Sequence, residues 1–206
     1  GLGAIYVNDE RLKSETIHQE IKEGSKLRIH TEPRRYFHGS LKSRILKTTE
    51  AYFIVDKPGG LPSHALVDNS RENLISLLAT ELNERLFITH RLDIGTSGMI
   101  IVARNPESQN RINELIKLKK IKRFYWAWVE GMLKPDTYVH FLEPSPKAPK
   151  KMSAVEKPGW PRCELVVQSC ELESSDFKTK LKVDRDIYRL QIELVTGRSQ
   201  QIRAQL

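Results

Sequence analysis

The sequence predicts an α+β fold, a mixed and mainly antiparallel β-sheet with flanking helices. Three observations carry this. Short runs of period-two alternation dominate the chain, two stretches have helical spacing, and helices and strands do not alternate regularly. The 206 residues, 39% hydrophobic and 29% charged, suffice for one large domain, or one domain with a small appendage.

Taken in order, residues 1–32 hold strand-like runs, "AIYVNDERL" and "IKEGSKLRIHTEP", separated by turn chemistry at Asn8-Asp9 and Gly24-Ser25. Leu27 and Ile29 alternate with Lys26 and Arg28. This is too little material for a core of its own, and it reads as the end of a small domain, residues 1–35, that begins before Gly1. "PRRYFHGSLKS" is polar and basic, and a linker is expected over 36–45.

The main domain is expected over 46–206, continuing past Leu206. "YFIVDKPGG" is a strand closed by a Pro-Gly-Gly turn, and Leu74, Leu77, Leu78 and Leu82 have helical spacing behind a Ser70 cap. "MIIVAR" predicts a buried strand. Asn105 and Pro106 open a helix through "ESQNRINELIKLKK". "RFYWAWVEG" is a strand, and the proline- and lysine-rich residues 132–162 predict an excursion or irregular hairpins. "CELVVQSCELE" is strand-like, and "IYRLQIELV" alternates Tyr188, Leu190, Ile192 and Leu194 against Arg189, Gln191 and Glu193.

Composition narrows the function classes. No stretch nears the roughly 18 apolar residues that span a bilayer, so no membrane partner is expected, and the N-terminus lacks a secretory pattern. Cys163 and Cys170, seven apart in one strand, should lie on opposite faces; with no CxxC pair, neither a disulfide framework nor a zinc site is indicated. A reduced, cytoplasmic setting and a monomer are expected. The net charge of +8 favours a polyanion such as nucleic acid.

Three stretches stand out. In "THRLDIGTSGMIIVAR", Asp93 could be a turn cap, a metal ligand, an arginine's partner or a catalyst, and Gly95 and Gly98 would let the loop turn sharply. In "KRFYWAWVEG", Tyr125 shares a face with Ala127 and Val129; Trp126 and Trp128 point the other way and are assigned to packing. In "TGRSQQIRAQL", Arg198 and Arg203 bracket the glutamines. An ionised carboxylate in a water-poor pocket needs a cationic partner, which arginine's fork suits. A tyrosine offers a stacking face and a hydroxyl, and the remaining arginines could meet phosphates. The run "KLKKIKR" is a solvated helix end or a phosphate contact.

Together, in this order, "HRLDIGTSG", "RFYWAWVEG" and "TGRSQQIR" resemble the signature motifs of the RluA-type pseudouridine synthases, and "VDKPGGLPSH" is similar to the family's preceding lysine-proline stretch. The resemblance covers about 46–206. Residues 1–35 resemble the second half of an S4-like RNA-binding domain. The resemblance implies a pseudouridine synthase catalytic domain that detaches uracil from its ribose in RNA, turns it and rejoins it through carbon, with no metal and no other cofactor. Asp93 matches the catalytic aspartate, acting as nucleophile or base, and Tyr125 the tyrosine that packs on the uracil. Arg203 matches the arginine paired with the aspartate, and Arg91 the one that helps extrude the target nucleotide. Arg198, Gln200 and Lys57 are further RNA-binding candidates, Lys57 either shaping a pocket rim or ending its strand. Gln200 stands where the family usually has histidine; it can hydrogen-bond but not titrate. Ribosomal RNA is the favoured substrate, with transfer RNA second.

Two other classes compete. A non-catalytic RNA-binding module would keep the fold, and intact Asp93, Tyr125 and Arg203 argue against it. A metal-dependent nuclease would need clustered carboxylates, and no second acid occurs from Leu86 to Ala103.

Overall fold

The computed structural model describes residues 5–12, 15, 18, 20–31, 37, 39–145 and 150–206. They fall into two compact units, Gly1–Glu114 and Leu115–Leu206.

In the first unit, strands β1 (Ile5–Val7), β2 (Glu10–Arg11) and β3 (Leu27–Ile29) form an antiparallel sheet in the order β2-β1-β3. Asn8 and Asp9 turn the hairpin at φ of 49° and 66°, a left-handed pair suited to a two-residue connection. The Tyr6 hydroxyl donates to Val67 O at 2.7 Å and Arg11 to Leu66 O at 2.6 Å, which ties this sheet to the loop before helix α1 (Leu74–Leu82). Residues 1–4, 13–14, 16–17, 19 and 32–35 of the S4-like reading lie outside the described residues, as do 36 and 38 of the expected linker.

The second sheet of this unit is antiparallel, with strands β4 (Ile45–Thr48), β5 (Tyr52–Lys57), β6 (Phe87–Ile88) and β7 (Gly98–Ala103) in the order β4-β5-β7-β6. Alternation sends Phe53, Val55, Ile100 and Val102 inward against Leu74 and Leu78 of α1. Leu41, within the span read as a linker, is fully buried in this core, and the Glu81 carboxylate accepts from the backbone of Leu41 and Lys42 and from the Ser40 hydroxyl. The strand "MIIVAR" is only half-buried: Met99 is exposed, because the core packs on the face that carries Ile100 and Val102. The α1 cap is Asn73, whose side chain accepts from Ser76 N at 3.0 Å, and not Ser70, whose carbonyl instead accepts from Asn73. Asn73 takes the cap because helical backbone starts one residue after it, at Leu74. Helix α2 (Pro106–Lys117) opens as its sequence predicts, the Asn105 side chain accepting from Ser108 N at 2.8 Å.

The second unit is built on a five-stranded antiparallel sheet. Strands β8 (Phe124–Glu130), β9 (Asp136–Leu142), β10 (Met152–Ser153), β11 (Arg162–Leu172) and β12 (Ile187–Leu194) lie in the order β10-β9-β11-β12-β8. Its core takes Leu165, Val167, Leu190, Ile192 and Leu194, with Tyr125, Ala127 and Val129 packed on it. The opposite face of β8 is open: Phe124, Trp126 and Trp128 are 51%, 53% and 49% exposed. The tryptophans are not core residues, because β8 is an edge strand and only its Tyr125 face meets the core; their packing is limited to surface contacts, Trp126 lying under the Arg189 guanidinium at 5.1 Å. Helix α3 (Ser175–Leu181) connects β11 to β12, and helix α4 (Gln201–Gln205) follows β12. Helix α3 carries Phe177, which stacks on Trp128 at 5.7 Å.

A bulge between Val167 and Ser169 breaks the period of β11. Cys163, Leu165 and Val167 share the core face; beyond the extra residue, Cys170 opposes Leu190 and joins the same face. The two cysteines thus share a side, contrary to the expectation from their odd spacing, and both are free.

Candidate active site

The predicted site residues divide between the units. Lys57, Arg91 and Asp93 belong to the first, and Tyr125, Arg198, Gln200 and Arg203 to the second.

Lys57 is the third inward position of β5, after Phe53 and Val55, so the strand drives it into the core face. It is 0% exposed. Opposite it stands Gly98, at a φ of 129° that a side chain rarely adopts. The ammonium donates to Pro58 O at 2.9 Å, Leu61 O at 2.7 Å and Ile94 O at 3.4 Å. Burial lowers its pKa from 10.5 to about 8, against the opposing pull of the Asp93 charge. This burial leaves Lys57 no surface for a phosphate, against its place among the RNA-binding candidates. It ties the "KPGGL" turn to the loop that carries Asp93.

The two segments are fastened at further points. Gly60 N donates to Ile94 O at 2.7 Å. The buried Ser63 hydroxyl donates to Leu92 O at 2.7 Å and accepts from Leu92 N at 3.0 Å. Thr96 N donates to Asp93 O at 3.0 Å and closes the turn after the aspartate. Asp93 is half-buried between the buried Leu92 and the exposed Ile94. Its backbone is thus held on both sides while the residue keeps part of its surface, as a site on a rigid scaffold requires. Exposed Arg91 lies 2.7 Å from the His64 ring. His90, read as structural, accepts from Ile101 N at 3.2 Å.

In the second unit Tyr125 stands opposite Ile192, half-buried against the sheet's core. The third motif is organised by a residue the sequence reading passed over. Gln201 is buried: its amide oxygen accepts from the Thr196 hydroxyl at 2.9 Å and Arg198 N at 3.0 Å, and its nitrogen donates to Glu164 O at 3.2 Å and Gln205 at 2.7 Å. Gln200 has a left-handed backbone, φ 56°, and serves as the junction into α4. Arg198 and Arg203 are exposed on either side. A side chain at Gly197 would run into the Arg123 guanidinium, which donates to Leu194 O at 3.2 Å. Buried Cys163 has a raised thiol pKa, since burial outweighs the positive charge of Arg198.

Ser63, His64 and Gln201 support the candidate site through their contacts and were not singled out by the motifs. The signal for the first two was the polar pair ending "VDKPGGLPSH", and for the third a doubled glutamine in which one side chain faces inward. Among the described residues no group of three or more His, Cys, Asp or Glu could hold a metal ion, and no helix is long and apolar enough to cross a membrane.

Two antiparallel sheet units flanked by short helices, with a fixed aspartate loop in one, define an RNA pseudouridylate synthase type of fold. Human RNA pseudouridylate synthase domain containing 4 has that fold, at a TM-score of 0.56 and 22% identity over 80% of this chain and 63% of that one. The family model for RNA pseudouridylate synthase matches residues 51–206, and the chain belongs to that family. It is 32% identical over 203 residues to RNA pseudouridine synthase 6, chloroplastic, of Arabidopsis thaliana, covering 91% of this chain and 43% of that protein. It is 26% identical over 212 residues to an uncharacterized RNA pseudouridine synthase of Aquifex aeolicus, covering 98% of this chain and 64% of that one. The chain thus spans less than half of the plant protein's length.

Proposed function

We propose that this chain isomerises selected uridines to pseudouridine in RNA, acting as a monomer without metal or cofactor. Asp93 attacks the ribose or takes a proton from it, Tyr125 packs on the uracil, and Arg203 serves the aspartate. Arg91 helps to extrude the target nucleotide, and Arg198 contacts RNA. Extrusion from a duplex costs a few kcal/mol, so loops are the cheaper targets. The observation that carries the reading is the Asp93 loop, pinned through Leu92 by Ser63 and through Ile94 by Lys57 and Gly60. Ribosomal RNA is the proposed substrate, supported by the S4-like segment and the net charge of +8, with transfer RNA second.

The test is tritium release from RNA labelled at uracil C5, in EDTA, with Asp93→Asn beside the unaltered chain. Release by the unaltered chain alone is expected, with the RNA affinity of Asp93→Asn within a few-fold. Tight binding without release from any cellular RNA would instead make the chain an RNA-binding module, with Gln200 the first position to revert to histidine.

A further inference from the structure

We infer that His64 is a positioning residue for Arg91, holding its guanidinium ready for the nucleotide-extruding role proposed above, on which this inference rests. The Ser63 hydroxyl bonds both backbone groups of Leu92, which sets the two segments side by side. One residue along, His64 then meets Arg91, with Nε2 and Nη1 2.7 Å apart. The other ring nitrogen, Nδ1, lies 2.9 Å from Ala65 O. Both partners dictate the proton. A carbonyl only accepts, so Nδ1 carries the hydrogen; a guanidinium only donates, so Nε2 is the bare acceptor. In this contact pattern the ring is oriented at one end by the backbone and presents a lone pair to Arg91 at the other.

The arrangement matters because Arg91 is exposed. A free arginine side chain samples many rotamers and loses that entropy on reaching into a base stack. A fixed acceptor removes part of that loss before RNA arrives. The contact is also replaceable: an RNA acceptor can take over the same N–H when the guanidinium moves inward. His64 touches neither the ribose nor the base, so its effect should appear only where extrusion limits the rate.

The test uses two synthetic hairpins carrying the uridine mapped by tritium release, one with it paired in the stem and one with it in a bulge. His64→Ala is expected to lose about tenfold in rate on the paired target, as for one charge-assisted hydrogen bond, and to stay within about twofold on the bulged one. His64→Gln, whose amide oxygen can accept from Arg91, should recover most of the loss. The double variant with Arg91→Ala should be no slower than Arg91→Ala alone. Equal loss on both hairpins, or full additivity in the double variant, would overturn the inference and make His64 a structural residue. If Arg91→Ala fails to distinguish the hairpins, the extrusion role falls and the His64 assignment falls with it. If the hairpins separate Arg91→Ala but not His64→Ala, only the His64 assignment is lost. No release from either hairpin by the unaltered chain removes the isomerase reading itself, and with it the function His64 is said to serve.

Discussion

Replacing Lys57 by methionine keeps the length of the side chain and removes its charge, and the consequence can be worked out from the burial of the group. The pKa of Lys57 falls from 10.5 in the unfolded chain to about 8 in the fold. The folded value lies below the unfolded one, so the protonated form is penalised in the native state. The penalty is present in full below pH 8, fades as pH rises through 8, and is gone above 10.5. At about 1.4 kcal/mol per pH unit its full size is about 3 kcal/mol. Integration from pH 7 to pH 9 gives a gain of about 1.4 kcal/mol for the wild-type chain that Lys57→Met cannot show. The other titrating groups are common to both chains and cancel in the difference. Urea titrations read from the methyl resonances of Ile100 and Val102, both buried in the first unit's core, should see the wild-type midpoint gain on the variant by roughly 0.5–1 M between those pH values. A gap of constant size from pH 7 to pH 9 would refute the reasoning and place the titration of Lys57 elsewhere.

Further predictions concern the site and its supports. Asp93→Asn removes the charge that draws the Lys57 pKa upward, so in the same titrations the pH-dependent gain should start at lower pH than in the wild type. Gln201→Leu removes the acceptor for the Thr196 hydroxyl and Arg198 N and the donor to Gln205; a loss of about 2–3 kcal/mol is expected, measured by urea unfolding followed by tryptophan fluorescence. Asn73→Ala deletes the α1 cap and should cost about 1 kcal/mol, seen as a lower midpoint for the same Ile100 and Val102 methyls. Of the two thiols, half-buried Cys170 should react with Ellman's reagent well before Cys163, which is buried and raised in pKa; equal rates would contradict the packing of β11.

Many strands were legible because period two needs no knowledge of neighbours: β8 and β12 lie where alternation put them, and β5 and β11 where their apolar, β-rich runs did. The helix after Asn105 was legible because its cap is local. What escaped depends on partners. Nothing in the spacing of Cys163 and Cys170 records the bulge that puts them on one face. The tryptophans look like core residues until β8 proves to be an edge. Helix α3 was not anticipated because its seven residues include two lysines and a threonine between polar turns, although the Ser174 cap was there to be read. At the site, the motifs located Asp93 and Arg91, and alternation could have shown that Lys57 points inward with Val55. A buried lysine is rare enough that its chemistry suggested the surface instead.

The open aromatic row on β8 has an optical consequence. All three tryptophans, Trp126, Trp128 and Trp160, lie between residues 115 and 206. Intrinsic emission excited at the indole band therefore reports on the second unit and is blind to melting of the Asp93 loop. With Trp126 and Trp128 half open to water already, unfolding should shift the emission colour only slightly, leaving intensity as the better signal. A fluorescence melt and a methyl-resonance melt of this one chain are thus separate thermometers, and any lag between them measures how independently its halves come apart.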